Sequence, residues 1–580
     1  MFTLFIAGLL VIYFTRLVFN FLHNLKLARD TGLPYLLYPI SEHSLLYVIL
    51  FETRVVPNLV RKWLPTRLSD YIFSSVLKYR WTVKDRLHKR HGDVYMLVTP
   101  GTLSCNVADA AVVSQICMAR RSFEKPAKQF EGLEIYGPSV ISVDESKWAH
   151  HRRHTALAFN EKHNALVWQD GIRQTLEMMQ NWTDEHGSAD VTLPDSQEDM
   201  MKLSLNLICR TGYGVDLSFK RTIEKAAANT QALFKDSINP PPGYHFTFRQ
   251  VMEYMSNHLA TVFIANSLLP KWTPRALFPF LTDDFNAYED LIRYFRALIS
   301  DARSNNDPAS NNLLNQMVRP RTRPTGTQPK SSLGFTETEL LGNLYVFTVA
   351  GHETTATTSR FALALLALHQ DVQDYVFKDI QEALHDESPD PAEWDYATVY
   401  PKLIATLCVM LETMRLYPPV VTIFKLTSQL DATFTYSNQT HHIPPNVTVN
   451  LNTNGLHYSP KYWGPDAESF HPQRWDKRNK HSFLAQNSGS EGLSAPGLEY
   501  ATIHKPVRGA YIPFSDGFRA CMGRKFAQVE FVIALALILR TYRISLAKVR
   551  DDEREEEVVA RVQEVLGNSS SFLTLGMRDE

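Results

Sequence analysis

Nothing in this sequence marks it as a partner of nucleic acid. Its 60 lysines and arginines face 61 aspartates and glutamates, a formal net charge of −1. No global field therefore favours a polyanion. Cysteine is scarce. Cys105, Cys117, Cys209, Cys408 and Cys521 are scattered through 580 positions, odd in number, with no two at C-x-x-C spacing. That excludes a disulfide framework and a zinc site built on cysteine pairs. It suits a reducing compartment and leaves room for one cysteine with a special task. Internal repeats are also lacking.

One long apolar run stands at the start. Phe2 to Leu22 is apolar apart from Thr3, Thr15, Arg16 and Asn20. As a helix this run would reach roughly 31 Å, about one bilayer core. A cleaved signal peptide would need a basic start, a shorter run and a small-residue cleavage site, and none is evident. Residues 1–22 are therefore expected to be an uncleaved membrane anchor. Lys26 and Arg29 follow the run and no charged side chain precedes it. The positive-inside rule then puts the rest of the chain in the cytosol, and sequons such as those at Asn181 and Asn446 go unused. Residues 23–60, with Pro34, Pro39 and Pro57, read as a linker and membrane-proximal segment. Residues 61–580 read as one large domain.

That domain is expected to be mainly α with small β-sheets, an α+β fold preceded by a single transmembrane helix. Thr336 and Glu339 have capping-box spacing, and the apolar stretch behind them runs to about His369. A helix so long, and apolar on several sides, crosses a domain interior. A second helix spans about Lys402 to Tyr417 and is stopped by Pro418 and Pro419. A third spans Arg524 to Thr541. Short strands are expected at Val94–Val98, Val447–Leu451 and Phe572–Leu575. Arg319–Gly334 and about Asp476–Arg508 read as polar loops, and the acidic run Asp551–Glu557 as a solvated turn.

The chemistry starts at Cys521, in Phe514-Ser-Asp-Gly517-Phe-Arg519-Ala-Cys521-Met-Gly523. At average residue usage the pattern F-x-x-G-x-R-x-C-x-G has a chance on the order of one in ten thousand in a chain this long. Gly517 and Gly523 permit a sharp turn and close backbone approach. A helix beginning just after the cysteine helps hold a sulfur anion. Arg519 can pair with a carboxylate, and Phe514 can shield the sulfur from water. Three more elements precede it. Glu412 and Arg415 stand at i, i+3 on one helix face. Arg474 stands in Phe470-His-Pro-Gln-Arg474-Trp475. Ala350-Gly351-His352-Glu353-Thr354-Thr355 lies mid-helix, where Gly351 costs about 1 kcal/mol against Ala. The Thr hydroxyls there can bond back to carbonyls and help bend the helix into a local opening. Trp148 and Arg152 are one helical turn apart.

The cysteine segment resembles the cysteine-loop signature of the cytochromes P450 at every specified position. The other elements resemble that family's E-x-x-R, P-x-R-[FW], A-G-x-[DE]-T-[TS] and W-x-x-x-R motifs, in the family's order. The resemblance implies a P450 fold and a haem b cofactor, iron protoporphyrin IX, with Cys521 as metal ligand. It implies that Arg519, Trp148 and Arg152 contact haem propionates, with Phe514 and Gly523 in the ligand loop. Lys425 occupies a place where the family often has a basic propionate contact. Glu412, Arg415 and Arg474 would form a buried structural ion pair. Thr354 would relay protons to dioxygen and Glu353 would feed them. Val346, Phe347, Val349 and Ala350, with Val420, Val421 and Ile423, would line an apolar pocket. The implied activity is a monooxygenase reaction on an apolar small molecule. Electrons would come from NADPH through cytochrome P450 reductase, at the endoplasmic reticulum membrane. The texture of the chain is similar to filamentous-fungal P450s of secondary metabolism, which oxidise polyketide, terpenoid or hybrid scaffolds. Two rivals are a P450-fold isomerase or dehydratase that uses no dioxygen, and a non-catalytic haem-binding protein. Both have less need of the Glu353–Thr354 pair. One departure from the family is the long stretch between Trp475 and Phe514, read as a surface insertion.

Overall fold

A computed structural model describes residues 2–41, 55–74, 80–186, 191–219 without 194, 233–268 without 235, 236 and 238, 277–304, 312–319, 334–478, 502–571 without 551, and 575–576. Contacts divide the chain into two units. The first holds Met1–Pro126, Leu411–Cys521 and Lys548–Glu580; the second holds Ala127–Met410 and Met522–Ala547.

The first unit opens with α1, Phe2–Asp30. Its side chains at Val11, Ile12, Phe14, Val18, Phe19 and Leu22 are more than half exposed. The helix runs on past Leu22, and Val55–Trp63 is helical too. The segment expected to be a linker is therefore helical at both ends. Among the described residues, no single helix is long and apolar enough to cross a membrane. The strands are β1 (Tyr35–Leu37), β2 (Val94–Val98), β3 (Leu103–Val107), β4 (Phe123–Glu124), β5 (Thr422–Thr427), β6 (Ala432–Tyr436), β7 (Gln439–Ile443) and β8 (Thr448–Asn452). Six form one sheet in the order β1-β2-β3-β8-β5-β4. β2 and β3 are buried along their whole length, which is why β2 reads as a continuous apolar run rather than an alternating one. β6 and β7 form a hairpin turned by Ser437 and Asn438, both at positive φ. α2, Ala110–Met118, starts at Asp109, whose carboxylate accepts the Val112 N–H at 3.0 Å.

Two expectations shift here. β8 begins at Thr448 because Asn446 turns at φ 62° and the Val447 N–H goes to the Thr427 hydroxyl. The acidic run is not a turn throughout: Glu555, Glu556 and Glu557 form the first turn of a helix over Glu555–Gly567, where carboxylates meet the positive end of the helix dipole. Of the expected strand Phe572–Leu575, only Leu575 is described, and it pairs with Ser571. Residues 320–333 and 479–501, most of the two expected loops, lie outside the described residues.

The second unit holds α3 (Glu145–Thr155), α4 (Glu161–His186), α5 (Ser196–Leu207), α6 (Thr282–Ser304), α7 (Glu337–Leu368), α8 (Gln370–Ala383), α9 (Ile404–Leu416, from Leu411 part of the first unit) and α10 (Arg524–Thr541). α7 starts with a closed capping box: the Thr336 hydroxyl accepts the Glu339 N–H, and the Glu339 carboxylate accepts the Thr336 N–H. It packs on α5, and α10 packs on α4. Val529 to Leu539 of α10 are all buried, so this stretch is covered on every side. An acid sits in that run. Glu530 is 1% exposed, with the Ser204 hydroxyl of α5 donating to its Oε1.

Burial pushes the Glu530 carboxyl up to about 8. A folded-state value above the unfolded one gives stability that is present below the unfolded value and is lost as pH rises through the folded one. Thermal melts between pH 5 and pH 8 should show that loss, and Glu530→Gln should flatten it. An unchanged slope in the variant would show that Glu530 does not titrate there.

Candidate functional site

The loop that ends at Cys521 is held by its own backbone. Ser515 (φ 59°) and Gly517 (φ 69°) both take left-handed conformations. At Gly517 any side chain would collide with the Cys117 carbonyl, so only glycine fits. Gly523 has an ordinary φ of −82° and serves as the N-cap of α10. The Ser515 N–H donates to the Ile512 carbonyl and the Cys521 N–H to the Phe514 carbonyl, both at 2.9 Å. Asp516 accepts the Gly517 N–H and pairs with Arg508 at 3.0 Å. Cys521 is exposed, while the other four cysteines are buried. Burial pushes the Cys105 thiol up to about 12 and raises those of Cys209 and Cys117. Among the five, Cys521 is the one whose side chain is accessible.

Behind the loop is a buried charge network. Glu412, Arg415 and Arg474 are each fully buried. Arg415 holds Glu412 with two parallel bonds of 2.8 Å, Nε to Oε2 and Nη2 to Oε1. Arg474 Nε donates to Oε1 at 3.0 Å, and Trp475 Nε1 to Oε2 at 2.9 Å. The His471 N–H adds a bond to Oε1. The free ends of the guanidiniums go to carbonyls: Arg415 to His457, Ala467 and Ser469, and Arg474 to Trp463. Burial alone would raise the Glu412 carboxyl, but Arg415 and Arg474 bring it down to about 2.

A cationic corner adjoins β4 and β5. Lys425 on β5 is 4% exposed. The antiparallel register pairs Phe123 with Thr427 and Glu124 with Leu426. Lys125 follows the last residue of β4 and feels the charge of Lys425. Burial first, then the charges of Arg519 and Lys425, hold the Lys125 amine well below its ordinary range. Lys125 is the residue that sequence reasoning missed, since its meaning depends on a strand 300 positions away. Val420 is partly exposed, Val421 buried and Ile423 half-buried.

The second unit carries the remaining residues. α7 is α-helix through Gly351–Thr355. The Thr354 hydroxyl donates to the Ala350 carbonyl at 2.9 Å, and that of Thr358 to the Thr354 carbonyl at 2.8 Å. A methyl at Gly351 would press on Ile208 at 3.3 Å, which gives this glycine a packing reason. Glu353 and Thr354 are half-buried, Val346 and Val349 buried, and Ala350 exposed. Trp148 is buried with Val140 and Val143, and Phe347 packs against this group. Arg152 is half-buried on the same helix, α3. A groove of about 430 Å³ elsewhere in this unit is lined by His245, Gln250, Tyr254 and His258 among others, and by none of the expected pocket residues.

The cytochrome P450 family model matches residues 71–566. The chain is 31% identical to cytochrome P450 monooxygenase prx9 of Penicillium rubens, over 90% of this chain and 88% of that one. It is 29% identical to a cytochrome P450 monooxygenase of Arthrobotrys oligospora, over 96% and 93%. A further relative, at 24% identity over 96% and 95%, is the phomenoic acid biosynthesis cluster cytochrome P450 monooxygenase of Leptosphaeria maculans. Among solved structures, a crystal structure of a cytochrome P450 (CYP102L1) shares the fold at TM-score 0.60 and 20% identity, covering 85% of this chain and 95% of that one.

Glu412→Gln removes the charge that both buried arginines answer. A cost of about 3–5 kcal/mol is expected, read as a lowered midpoint in chemical unfolding. The Glu412 value lies below that of an unfolded glutamate, so its stabilisation is present above the unfolded value. It should be lost as pH falls from about 4.5 towards 2. A variant as stable as the parent at neutral pH would contradict this.

Proposed function

The chain belongs to the cytochrome P450 family, and is a monooxygenase by that membership; on this premise we propose that Cys521 holds the iron of haem b in an enzyme oxidising an apolar small molecule. The observation that carries the proposal is the exposed Cys521 thiol on a loop whose Gly517 admits no side chain. The donor set fits the group. One accessible sulfur suits an iron, and the cations of Lys125, Lys425 and Arg519, which act on one another, suit two carboxylates. When bound, the haem supplies the activation of dioxygen, its thiolate ligand favouring O–O cleavage.

The chain's own residues do the rest. Lys425, Lys125 and Arg519, with Trp148 and Arg152, bind and orient the propionates. Phe514 and Gly523 complete the ligand loop, the phenyl ring keeping water from the sulfur. Thr354 moves protons at Oγ1: the bond to the Ala350 carbonyl fixes its rotor, and its lone pairs stay free to accept. Glu353, next in sequence, returns the proton that Thr354 passes on. Val346, Phe347, Val349, Ala350, Val420, Val421 and Ile423 bind substrate by excluding water from it.

We assign the substrate to fungal secondary metabolism, a polyketide, terpenoid or hybrid scaffold. The relative named for a phomenoic acid biosynthesis cluster supports this class. Electrons come from NADPH through cytochrome P450 reductase. Residues 1–22 anchor the chain in the endoplasmic reticulum membrane as a single pass, with residues 23–60 as a membrane-proximal segment and 61–580 as a cytosolic catalytic domain. The exposed apolar side chains from Val11 to Leu22 favour that anchor. The retained Glu353–Thr354 pair disfavours an isomerase, a dehydratase or a non-catalytic haem carrier.

Cys521→Ser should lose the red-shifted Soret band of the reduced carbon monoxide complex; a retained band would sink the assignment of the sulfur. Thr354→Ala should keep that band yet consume NADPH without forming product. Unchanged product formation would remove Thr354 from the proton path.

A further inference from the structure

We propose that His457 is the positioning residue that sets the Cys521 loop, carrying the geometry of the buried Glu412–Arg415 pair into the loop's main chain. The proposal rests on the reading of Cys521 as the iron ligand. His457 closes a short helix, Thr453–His457, and is fully buried. Its Nδ1 lies 3.1 Å from the Arg415 carbonyl, and its Nε2 lies 3.1 Å from the Ile512 N–H. A main-chain N–H only donates and a carbonyl only accepts. Nε2 must therefore be the acceptor, and the ring proton sits on Nδ1. One tautomer satisfies both bonds, and a doubly protonated ring breaks one of them. Burial, then the charge of Arg415, lowers the ring to about 3, so it stays neutral.

What the ring holds leads to the sulfur. Ile512 accepts the Ser515 N–H on its carbonyl, and Phe514, the residue before Ser515, accepts the Cys521 N–H. Tyr511 stacks on His457 with ring centroids 5.1 Å apart, and its hydroxyl donates to the Leu411 carbonyl at 2.9 Å. Two adjacent loop residues are thus tied to the last turns of α9, one through His457 and one beside it. Arg415 joins both sides of this link, since its guanidinium grips Glu412 and the His457 carbonyl while its own carbonyl takes the His457 proton. A ring of the same size without nitrogens leaves the buried Ile512 N–H and Arg415 carbonyl unanswered.

The test uses the full-length, haem-loaded protein. His457→Phe keeps the volume and removes both bonds. His457→Gln extends far enough to answer Ile512, and His457→Asn reaches only the Arg415 side. Each is followed by the reduced carbon monoxide spectrum over time, with total haem and far-ultraviolet dichroism as controls. At equal haem and equal fold, His457→Phe should convert from the red-shifted to the unshifted band at least about tenfold faster than the parent, the equivalent of one of the two buried hydrogen bonds that it removes. His457→Gln should stay close to the parent. A parent-like rate in His457→Phe overturns the proposal. If His457→Phe does not fold, the glutamine and asparagine variants decide: His457→Asn should convert faster, and equal rates in the two overturn it. A parent protein with no red-shifted band would remove the Cys521 reading and this proposal with it, an outcome distinct from a difference among variants.

Discussion

One carboxylate with no access to water organises the first unit. The two oxygens of Glu412 accept bonds from Arg415 Nε and Nη2, Arg474 Nε, Trp475 Nε1 and the His471 N–H. Stripping two guanidiniums and a carboxylate of solvent is expensive, and the cost is recovered only if every donor and acceptor is answered. Here the second cation has its own anion: Arg474 also meets Asp466 at 3.0 Å, at the edge of solvent. The arrangement allows no half measures. Wherever a partner shifts, a charge is left uncompensated, so the chain segments that supply partners are held in one relation.

Those segments are far apart in sequence. The last turns of α9, the short helix ending at His457 and the stretch from Trp463 to Ser469 all present acceptors to the same two guanidiniums, and His471 and Trp475 donate to the carboxylate between them. The loop ending at Cys521 shares this rigidity through hydrogen bonds to its own backbone and through Tyr511 and Ile512. Its left-handed turn at Gly517 is confined by the Cys117 carbonyl. A functional side chain on a loop needs that kind of constraint, because its geometry is only as precise as the groups that support it. α7 shows the contrary economy. Its Thr354 and Thr358 hydroxyls close on their own helix, leaving a site whose polar groups are few and local.

Much of this was legible before any coordinates. Thr336 and Glu339 announce the start of α7, Pro418 and Pro419 follow the end of α9, and α10 has the bounds that its apolar run suggests. The pairing of Glu412 with Arg474, 62 positions apart, follows from motif order. Where the pattern misled, a local bond decided. Asn446 delayed β8 by one residue, and the acids at Glu555–Glu557 found a helix end to stabilise. At Gly351 the reason for the glycine lies in packing: a methyl there would press on Ile208, while the Thr354 and Thr355 hydroxyls bond back to the Ala350 and Gly351 carbonyls.

By itself the sequence determined the chemistry on offer: one cysteine in a turn of fixed type, an acid beside an alcohol, and an acid with two guanidinium partners. Such patterns are local, written by residue type and spacing, and survive without knowledge of the neighbours. Tertiary structure alone decided which cysteine stays accessible, which tautomer His457 adopts and that the charge of Lys425 reaches Lys125. Burial, strand register and the direction of a main-chain N–H depend on residues hundreds of positions away, and no spacing within a single segment encodes them.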